Sequence, residues 1–359
     1  MKYVSWNVGG FSREAAVELC NNGINPLISV LLSSRGVTNF DDACAIIGTE
    51  TPQIHDPHLL ADMNKAVSRI KKALENKERI AIYGDYDVDG MTASATLALW
   101  LESKGADFEI YIPGRSDEGY GLNRAALDAL KSRGVGLVVT VDCGITAFEE
   151  AKYAKELGLG LVITDHHECR EELPDADAVV DPKRQDCNYP FKSLAGVGVA
   201  FKLVCALEND YISDEIIDSY SQLVAVGTIA DVMQVVGENR DLIRRGLQNL
   251  SKNPSRGFSE LLREAGAQSD RITTSTVGFV LAPRLNAAGR MGMSELSVEL
   301  LLTKSPDRAK QLATELCKLN TERRNLELEI LKQANFMLAG SKPDEPIVLC
   351  SESWYQGVT

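Results

Sequence analysis

The chain has 359 residues, of which 44% are hydrophobic, and carries a formal net charge of −13 at neutral pH. This length and apolar content suffice to bury a large core and favour two lobes. The sequence contains no uninterrupted run of about 18 apolar residues, and its start, "MKYVSWNVGG", lacks the apolar centre of a signal peptide, which favours a soluble, cytoplasmic protein. Taken alone, the acidic balance argues against a nucleic-acid-binding protein, because affinity for phosphates normally depends on Lys and Arg.

The eight cysteines are scattered along the chain and form no CxxC pair. Several lie in apolar surroundings, which favours reduced thiols in the core over a disulfide framework or a zinc site. Low-complexity segments and internal repeats are absent from the sequence. The chemistry of the protein therefore has to come from other side chains.

The first 180 residues alternate short apolar runs with amphipathic segments. Strands are predicted over residues 79–84, 108–113, 136–142, 160–165 and 178–181. Helices are predicted between strands over residues 92–105, 123–134 and 147–158, and each ends in a glycine, as helices often do. Strand–helix alternation with continuous Val, Ile and Leu strands predicts a doubly wound α/β domain whose parallel sheet is covered on both faces.

Ionisable side chains follow three of the predicted strands. They are Asp85, Asp87 and Asp89 after the first strand, Asp142 at the end of the third, and Asp165, His166 and His167 after the fourth. If the first strand stays extended, its three carboxylates lie on one face. One such cluster alone is typical of a solvated acidic turn. Because ligands bind beyond the carboxyl ends of parallel strands, three clusters at one sheet edge predict a shared site.

The chemistry of these side chains favours a metal site. Carboxylates this close repel one another, which raises the pKa of some of them unless a cation lies among them. Carboxylates mixed with imidazole favour Mn²⁺, with Mg²⁺, Fe²⁺ and Zn²⁺ as alternatives, and the lack of cysteine in the set disfavours a thiolate site. A cluster this acidic can hold two ions that share a carboxylate, an arrangement suited to attack on phosphorus.

Three motifs carry a resemblance to a known family. "DYDVDG" (85–90), "VDCGIT" (141–146) and "TDHHE" (164–168) resemble motifs I to III of the DHH phosphoesterase superfamily. Four further segments narrow the resemblance: "PGRSDEGYGLN" (113–123), "LAGVGVAFKL" (194–203), "VAVGTIADVM" (224–233) and "RLNAAGRMG" (284–292). With seven motifs in order, the chain from about residue 25 onward is similar to the bacterial RecJ branch, the single-strand-specific DNA exonucleases.

The resemblance implies a role for each acidic residue. Asp87 would bind the first metal ion and Asp89 the second, with Asp142 bridging the two. Asp85 stays open between a ligand and a group that positions water. Asp231, in a segment predicted as a helix or its end, is singled out by the resemblance alone. The full implied metal set is Asp85, Asp87, Asp89, Asp142, His166 and Asp231.

The resemblance also implies catalytic and phosphate-binding residues. The implied catalytic residues are His167, which would face the scissile phosphate, together with Arg290 and Asp142, whereas Asp165 would orient its neighbours. Asn286 and Arg290 end a helix-like segment that begins near Thr273, and in the family they approach nucleic-acid phosphates. Arg290 is therefore the predicted phosphate clamp. An exposed arginine at a helix end is the alternative.

A glycine pair gives a second predicted phosphate contact. Gly196 and Gly198 stand ahead of an amphipathic segment, where backbone N–H groups at a helix start can hold a phosphate. A turn that packs closely is the alternative for such a pair.

Five segments are predicted along the chain. They are an N-terminal helical extension (1–75), a DHH-type α/β metal-binding core (76–191), a helical lobe (192–304), a long connecting helix (305–340) and the truncated start of a DHHA1-like domain (341–359). Ser305 is the predicted N-cap of the long helix. "EPIVLC" is predicted as a strand, and the resemblance implies a C-terminally truncated family member.

One part of the helical lobe is mildly basic. Residues 240–271 contain seven basic side chains against four acidic ones. The basic residues are Arg240, Arg244, Arg245, Lys252, Arg256, Arg263 and Arg271. A solvated helix face is the ordinary interpretation, and a track for DNA is the alternative.

The implied function is that of a metal-dependent phosphodiesterase that removes mononucleotides from the 5′ end of single-stranded DNA, in repair and recombination. Two manganese ions are the implied cofactor, with magnesium as the alternative. The implied partners are single-stranded DNA, a single-strand-binding protein and a helicase, without a membrane. Strand polarity and the preference for DNA come from the resemblance alone.

Two other functions stay open. A relative acting on short oligonucleotides, cyclic dinucleotides or pyrophosphate would use the same metal site. A catalytically silent replication scaffold would have lost ligands, and every expected ligand is present here.

Overall fold

The computed structural model describes residues 9–48, 54–114, 119, 121–208, 212–267, 271–338 and 346–358. The chain divides after residue 53 into two compact units. The described helices of the first unit are α1 (Arg13–Asn21), α2 (Pro26–Ser33) and α3 (Phe40–Ile47). Ser12, Asn25 and Asn39 cap these helices by accepting hydrogen bonds from backbone N–H groups of the first turn. A small apolar cluster holds this unit together.

The second unit is built on a five-stranded sheet. Its strands are β1 (Arg79–Gly84), β2 (Phe108–Tyr111), β3 (Val135–Val141), β4 (Gly160–Thr164) and β5 (Ala178–Val180). All neighbours pair in parallel, in the order β2-β1-β3-β4-β5. The predicted parallel sheet is confirmed. Because the chain runs outward from β1 to β2 and then returns to β3 on the other side, the sheet has a switch point between β1 and β3.

Helices cover both faces of this sheet. They are α4 (Met63–Glu75), α5 (Val88–Ser103), α6 (Arg124–Ser132), α7 (Phe148–Glu156) and α8 (Gly196–Glu208). Alternate residues of β1 enter two different cores: Ile80 and Ile82 pack with α4, α5 and α8, whereas Ala81 and Tyr83 pack with α6 and α7. The chain is therefore doubly wound, as predicted.

The last helix of the predicted N-terminal extension packs with the sheet. The boundary at residue 75 stays a prediction, and α4, which precedes it, belongs to the second compact unit. Met63, Ala66 and Ile70 follow helical spacing and lie in the same buried core as Ile80. An amphipathic helix ahead of the first strand thus supplies one layer of the α/β fold.

The rest of the second unit is helical, as predicted. Its elements are α9 (Asp214–Ala230), α10 (Gly237–Lys252), α11 (Arg256–Glu264), α12 (Thr274–Thr276), the π-helical turn Val277–Leu281, α13 (Ala282–Arg290), α14 (Ser294–Leu302) and α15 (Pro306–Met337). The helix-like segment predicted from Thr273 is confirmed, and Thr273 caps it. The π-helical turn ends two residues before Pro283, which cannot donate a backbone hydrogen bond.

The long C-terminal helix is present, and Ser305 caps it through the N–H of Arg308 at 3.3 Å. Its buried side chains extend only to Asn320, so its first half is part of the core of the helical lobe. The strand predicted at "EPIVLC" is wrong for residues 346–350, which have no regular structure in the described part of the chain. Ile347 and Val348 are exposed there, because no described strand pairs with them. Residues 341–345 lie outside the described residues.

Two composition-based expectations can be compared with the fold. All eight cysteines lie in the described part of the chain and remain thiols, and Cys143, Cys187 and Cys205 are buried in the core. No helix among the described residues combines the length and the apolarity that are needed to cross a membrane.

Candidate metal centre

The acidic loop after β1 turns directly into a helix. On an extended strand, the three carboxylates would lie on one face. In the structure α5 instead begins at Val88, so Asp87 is its N-cap and Asp89 lies in its first turn. The Asp87 carboxylate accepts a hydrogen bond from the N–H of Gly90 at 3.0 Å. A side chain at Gly90 would lie 2.7 Å from Cα of Asp85, so glycine allows this tight turn. The three carboxylates lie close together because the chain turns tightly from β1 into α5, and not because side chains alternate along a strand.

Asp142 stands at the end of β3 with a backbone φ of +62°. This left-handed conformation is uncommon for residues other than glycine, although Asp adopts it more readily than most. The side chain is 2% exposed, and its Oδ1 lies 3.1 Å from Nε2 of His166. Burial, followed by repulsion from Asp89, raises the pKa of Asp142 well above its usual value.

His166 is the point on which the carboxylates converge. Its Nε2 lies 3.1 Å from Asp142, 3.7 Å from Asp89 and 3.7 Å from Asp231. Burial and the neighbouring charge of His167 lower the pKa of His166 to about 4. The ring is therefore neutral at physiological pH, which is the form that binds metal ions.

Asp165 holds His167 rather than joining the convergence on His166. Its carboxylate accepts hydrogen bonds from the N–H groups of Ile145 at 2.9 Å and His166 at 2.7 Å, and from Nδ1 of His167 at 2.7 Å. This last bond raises the pKa of His167 to about 8. Burial acts to raise the pKa of Asp165, but these hydrogen bonds outweigh it and keep that pKa below its usual value. The geometry agrees with an orienting role for Asp165.

Asp89 is fixed by the start of α8. Its two carboxylate oxygens accept hydrogen bonds from the N–H of Gly196 at 2.7 Å and of Val197 at 2.9 Å. Burial and repulsion from Asp87 nevertheless raise the pKa of Asp89. A helix N-terminus that is used in this way orients a carboxylate and stabilises its charge.

This contact changes the interpretation of the glycine pair. The N–H of Gly196, predicted to hold a phosphate, is bonded to Asp89 instead. Gly196 and Gly198 both lie inside α8, which is buried nearly throughout rather than amphipathic. A side chain at Gly196 would lie 2.6 Å from Cγ of Asp142, so the glycine makes room for that carboxylate. The phosphate role of the pair stays a prediction.

Asp231 is the C-cap of α9, which agrees with the predicted helix end. It is followed by Val232 with a φ of +59°, a strained conformation for a β-branched residue. Burial and repulsion from Asp87 raise the pKa of Asp231 to about 6. Asp231 ends a helix rather than a strand, which explains why no strand-end argument could find it.

Asn286 and Arg290 lie on α13, which packs against the acidic loop. The side chain of Asn286 accepts a hydrogen bond from the N–H of Val88 at 3.1 Å. A side chain at Gly289 would overlap the carbonyl oxygen of Tyr86, so the helix approaches the loop closely. Arg290 donates to the carbonyl oxygen of Gly357 at 3.3 Å. The structure thus brings α13 to the site, while the phosphate contacts of Asn286 and Arg290 stay predictions.

The described residues include three groups of candidate metal ligands that share members. Within each group, the ligand atoms lie within 4.8 Å of one another. The groups are Asp85, Asp87 and Asp142; Asp89, His166 and Asp231; and Asp142, His166 and His167. All six predicted metal residues are therefore brought together, and the geometry also admits His167. Oδ1 of Asp85 is buried without a hydrogen-bond donor among the described residues. Burial and repulsion from Asp87 raise the pKa of Asp85 to about 7. Buried, underpaired carboxylates around a neutral imidazole fit a divalent metal ion.

Two residues beside the centre, Asp181 and Lys183, were not predicted from the sequence. Asp181 follows β5, is fully buried, and has a pKa raised to about 7 by burial and by repulsion from Asp165. Its carboxylate accepts the N–H of Lys183 at 2.7 Å, and Nζ of Lys183 lies 3.0 Å from Glu168. The strand-end rule that selected Asp142 would also have found Asp181, since it ends the predicted strand "AVVD".

Comparison with known proteins places this fold and site in a class. The model of the "DHH family, N-terminal domain" matches residues 79–228, which include five of the six predicted metal residues. The single-stranded-DNA-specific exonuclease RecJ of Bacillus subtilis is 42% identical over 336 residues, which are 93% of this chain and 42% of that protein.

Two solved structures of RecJ proteins are similar to this chain. The crystal structure of an exonuclease RecJ bound to manganese matches with a TM-score of 0.75 and 35% identity, covering 83% of this chain and 75% of that one. The structure of RecJ from Thermus thermophilus in complex with Mn²⁺ matches with a TM-score of 0.79 and 31% identity, over 96% and 49%. The chain belongs to the RecJ family of DHH proteins. It spans between 42% and 60% of the length of the first curated relatives that it matches.

Proposed function

We propose that this chain hydrolyses single-stranded DNA from the 5′ end and releases mononucleotides, using two divalent ions, Mn²⁺ or Mg²⁺. The observation that supports this most strongly is the convergence of Asp89, Asp142 and Asp231 on Nε2 of the neutral His166 in a buried site. Family membership supports the choice of substrate. The residues proposed to hold the ions are Asp85, Asp87, Asp89, Asp142, His166 and Asp231.

The residues around the ions have distinct tasks. When bound, divalent ions polarise phosphoryl oxygens and lower the pKa of water, which is the chemistry that phosphodiester hydrolysis needs. Asp165 holds His167 in the protonated form, so His167 can place a positive charge beside the scissile phosphate. Arg290 neutralises the charge that develops on phosphorus-bound oxygen. Asp142 belongs to two of the three ligand groups, so its carboxylate would help to hold both ions.

The finer assignments of partner, place and domain rest on the same family resemblance. We propose a single-strand-binding protein and a helicase as partners, the cytoplasm as the location, and repair and recombination as the process. We also retain the proposed boundaries at residues 75, 191, 304 and 340.

A single strand labelled at its 5′ end tests the proposal. In a Mn²⁺ titration, the labelled mononucleotide should be the first product, chelation should stop its release, and the same strand in a blunt duplex should resist. A dinucleotide cleaved faster than the long strand would favour the short-oligonucleotide alternative. Labelled internal fragments as first products, or activity that survives chelation, would overturn the proposal. Tight Mn²⁺ binding without hydrolysis of either substrate would favour the silent scaffold.

Replacing Gly196 with alanine should weaken metal binding. The new Cβ would lie 2.6 Å from Cγ of Asp142, so either this carboxylate or α8 must move. We expect Mn²⁺ affinity to fall roughly 10- to 100-fold, as for other changes that misplace a ligand. Calorimetry would measure this. Gly278→Ala is the matched control, because a Cβ there meets only Ile229, at 3.9 Å. Equal affinities for the two variants would contradict the assigned role of Gly196.

Metal affinity should fall as the pH decreases. The pKa of Asp85 is raised to about 7 and that of Asp231 to about 6 in the metal-free fold. Protons on these carboxyls must leave before a metal ion can bind, so Mn²⁺ binding should release protons at pH values near and below these pKa values. Calorimetry in two buffers of different ionisation enthalpy would count the protons. An affinity that does not change with pH across this window would show that these carboxyls are not ligands.

A further inference from the structure

A buried asparagine lies in the first turn of α10, behind the metal centre. Asn239 is 1% exposed. Its amide nitrogen donates two hydrogen bonds, to the carbonyl oxygen of Ser193 at 2.5 Å and to that of Gln234 at 3.1 Å. Because both partners are carbonyl oxygens, only a group with two N–H donors satisfies them together. The side chain therefore joins two backbone segments that are far apart in the sequence.

One of these segments leads directly into α8. Ser193 precedes Gly196 by three residues, and the two residues between them are fully buried. The N–H groups of Gly196 and Val197 hold the carboxylate of Asp89 at 2.7 and 2.9 Å. Because packed interiors transmit displacements, a shift of Ser193 would reach the donors that orient Asp89.

The other segment carries Asp231. Gln234 follows Asp231 by three residues, beyond the turn that ends α9. This turn is closed by two backbone hydrogen bonds of 3.2 Å back to α9, and it places Val232 at a φ of +59°, where glycine is the usual residue. A β-branched residue stays in this conformation only when its surroundings fix it. The bond from Asn239 to Gln234 supplies such a restraint.

A buried charged network holds the helix start that presents Asn239. The adjacent Glu238 is 1% exposed and accepts a hydrogen bond from the hydroxyl of Tyr189 at 2.6 Å. Nζ of Lys202, which is fully buried on α8, lies 2.5 Å from the same carboxylate. Lys202 also donates to the carbonyl oxygen of His55 at 2.7 Å. Paired polar networks of this kind make their surroundings rigid, so the first turn of α10 is fixed against α8.

We propose that Asn239 is a positioning residue that fixes Asp231 relative to Asp89 and thereby strengthens the binding of the metal ion that these carboxylates hold with His166. The three ligands form one of the candidate groups. Asn239 acts through the segments that carry two of them, as groups behind metal ligands commonly do. An asparagine that only stabilised the fold would affect both ions alike. The proposal rests on the proposed function for the presence of two ions.

Calorimetric titration of Mn²⁺ into Asn239→Leu tests the proposal. Leucine is similar in size but has no donor, so both hydrogen bonds are lost. We expect one ion to bind roughly 10- to 100-fold more weakly, as when other groups behind a ligand are removed. The other ion should keep its affinity, since the segments that Asn239 joins carry neither Asp85 nor Asp87.

Two further measurements support the titration. Electron paramagnetic resonance should show a coupled pair of Mn²⁺ ions in the original chain and mainly isolated ions in the variant at the same metal concentration. Asn239→Ser is a milder second variant, because a hydroxyl has one donor and can keep at most one of the two bonds. We expect it to weaken the same ion.

Asn249→Leu is the matched control. Asn249 lies on the same helix, and its amide also donates two hydrogen bonds, to Asp218 at 2.7 Å and to Ser221 at 3.0 Å. These partners lie in the first half of α9, away from the end that carries Asp231. The control should therefore bind both ions as the original chain does, although the thermal midpoint of its metal-free form should fall, as in Asn239→Leu.

Unchanged Mn²⁺ affinities in the Asn239 variants, equal weakening of both ions, or the same loss in the control would overturn the proposal. If only Asn239→Leu fails to fold by circular dichroism, Asn239→Ser decides by the same criteria. If both fail to fold while the control folds, Asn239 serves the fold itself and the proposal is wrong. Selective loss of one ion in a chain that cleaves no strand would refute the proposed function alone. An original chain that binds fewer than two ions would overturn both.

Discussion

Asp142→Asn should abolish hydrolysis and, in the metal-free protein, raise the thermal midpoint of unfolding. Asp142 is 2% exposed and is repelled by four other carboxyls, and burial followed by repulsion from Asp89 raises its pKa well above the usual value. An acid whose folded pKa is raised contributes stability only at low pH and loses that contribution as the pH rises through the folded pKa. The neutral amide removes this cost, so the gain should be larger near pH 8 than near pH 4.

The same substitution should remove most of the stabilisation by metal. The original chain should gain thermal stability on addition of Mn²⁺, because an ion that binds only the folded state stabilises it. The variant should gain little, since it lacks the proposed bridging ligand. Asp175→Asn, which changes an exposed carboxylate paired with Lys155, is the control and should behave like the original chain. Hydrolysis at a normal rate by Asp142→Asn would contradict the bridging role. A lower thermal midpoint without metal would contradict the electrostatic cost assigned to the buried carboxylate.

Arg290→Ala should lower turnover by roughly two to three orders of magnitude while metal affinity is retained. The reason is that removal of one donor that stabilises developing charge has an effect of this size. The helix that carries Arg290, α13, packs against the acidic loop through the contact of Asn286 with Val88. Turnover at saturating Mn²⁺ and calorimetry of Mn²⁺ binding would separate the two properties.

Arg290→Lys distinguishes charge from geometry. Lysine keeps the positive charge but lacks the planar pair of donors, so we expect partial activity between that of the original chain and that of the alanine variant. Loss of Mn²⁺ binding in either variant would show that Arg290 supports the metal site rather than a phosphate. Full activity in the alanine variant would remove Arg290 from the mechanism.

The sheet and the location of the site could be predicted from sequence because both depend on local patterns. Continuous Val, Ile and Leu runs gave the strands, and a parallel sheet brings its strand ends to one edge. The acidic residues after β1 and β3 follow directly from that rule. Asp181 follows from it too, although the motifs drew attention elsewhere.

Other features depend on the backbone and on tertiary contacts that no periodicity reveals. The left-handed φ of Asp142 and the helix start at Val88 decide where the carboxylates point, yet neither has a distinctive local signal. Gly196 donates a hydrogen bond to Asp89 and leaves room for Asp142 because α8 begins against these two carboxylates. The packing of α4 against the sheet could not be predicted for a similar reason, because the sequence of an amphipathic helix does not show which core its apolar face joins.

The basic segment shows the same limit. Sequence composition could identify residues 240–271 as mildly basic, but not the partners of their side chains, such as Asp218 for Arg245 and Glu260 for Arg263.

The stoichiometry of Mn²⁺ binding tests the central claim most directly. Calorimetric titration of the metal-free chain near pH 8, where the carboxyls with pKa values of about 6 and 7 are ionised, should give two ions per chain. The same titration of Asp142→Asn should lose at least one of them, because Asp142 belongs to two of the three ligand groups. A stoichiometry of two that survives this substitution with unchanged affinity, or no Mn²⁺ binding by the original chain, would contradict the account of a bridged metal centre.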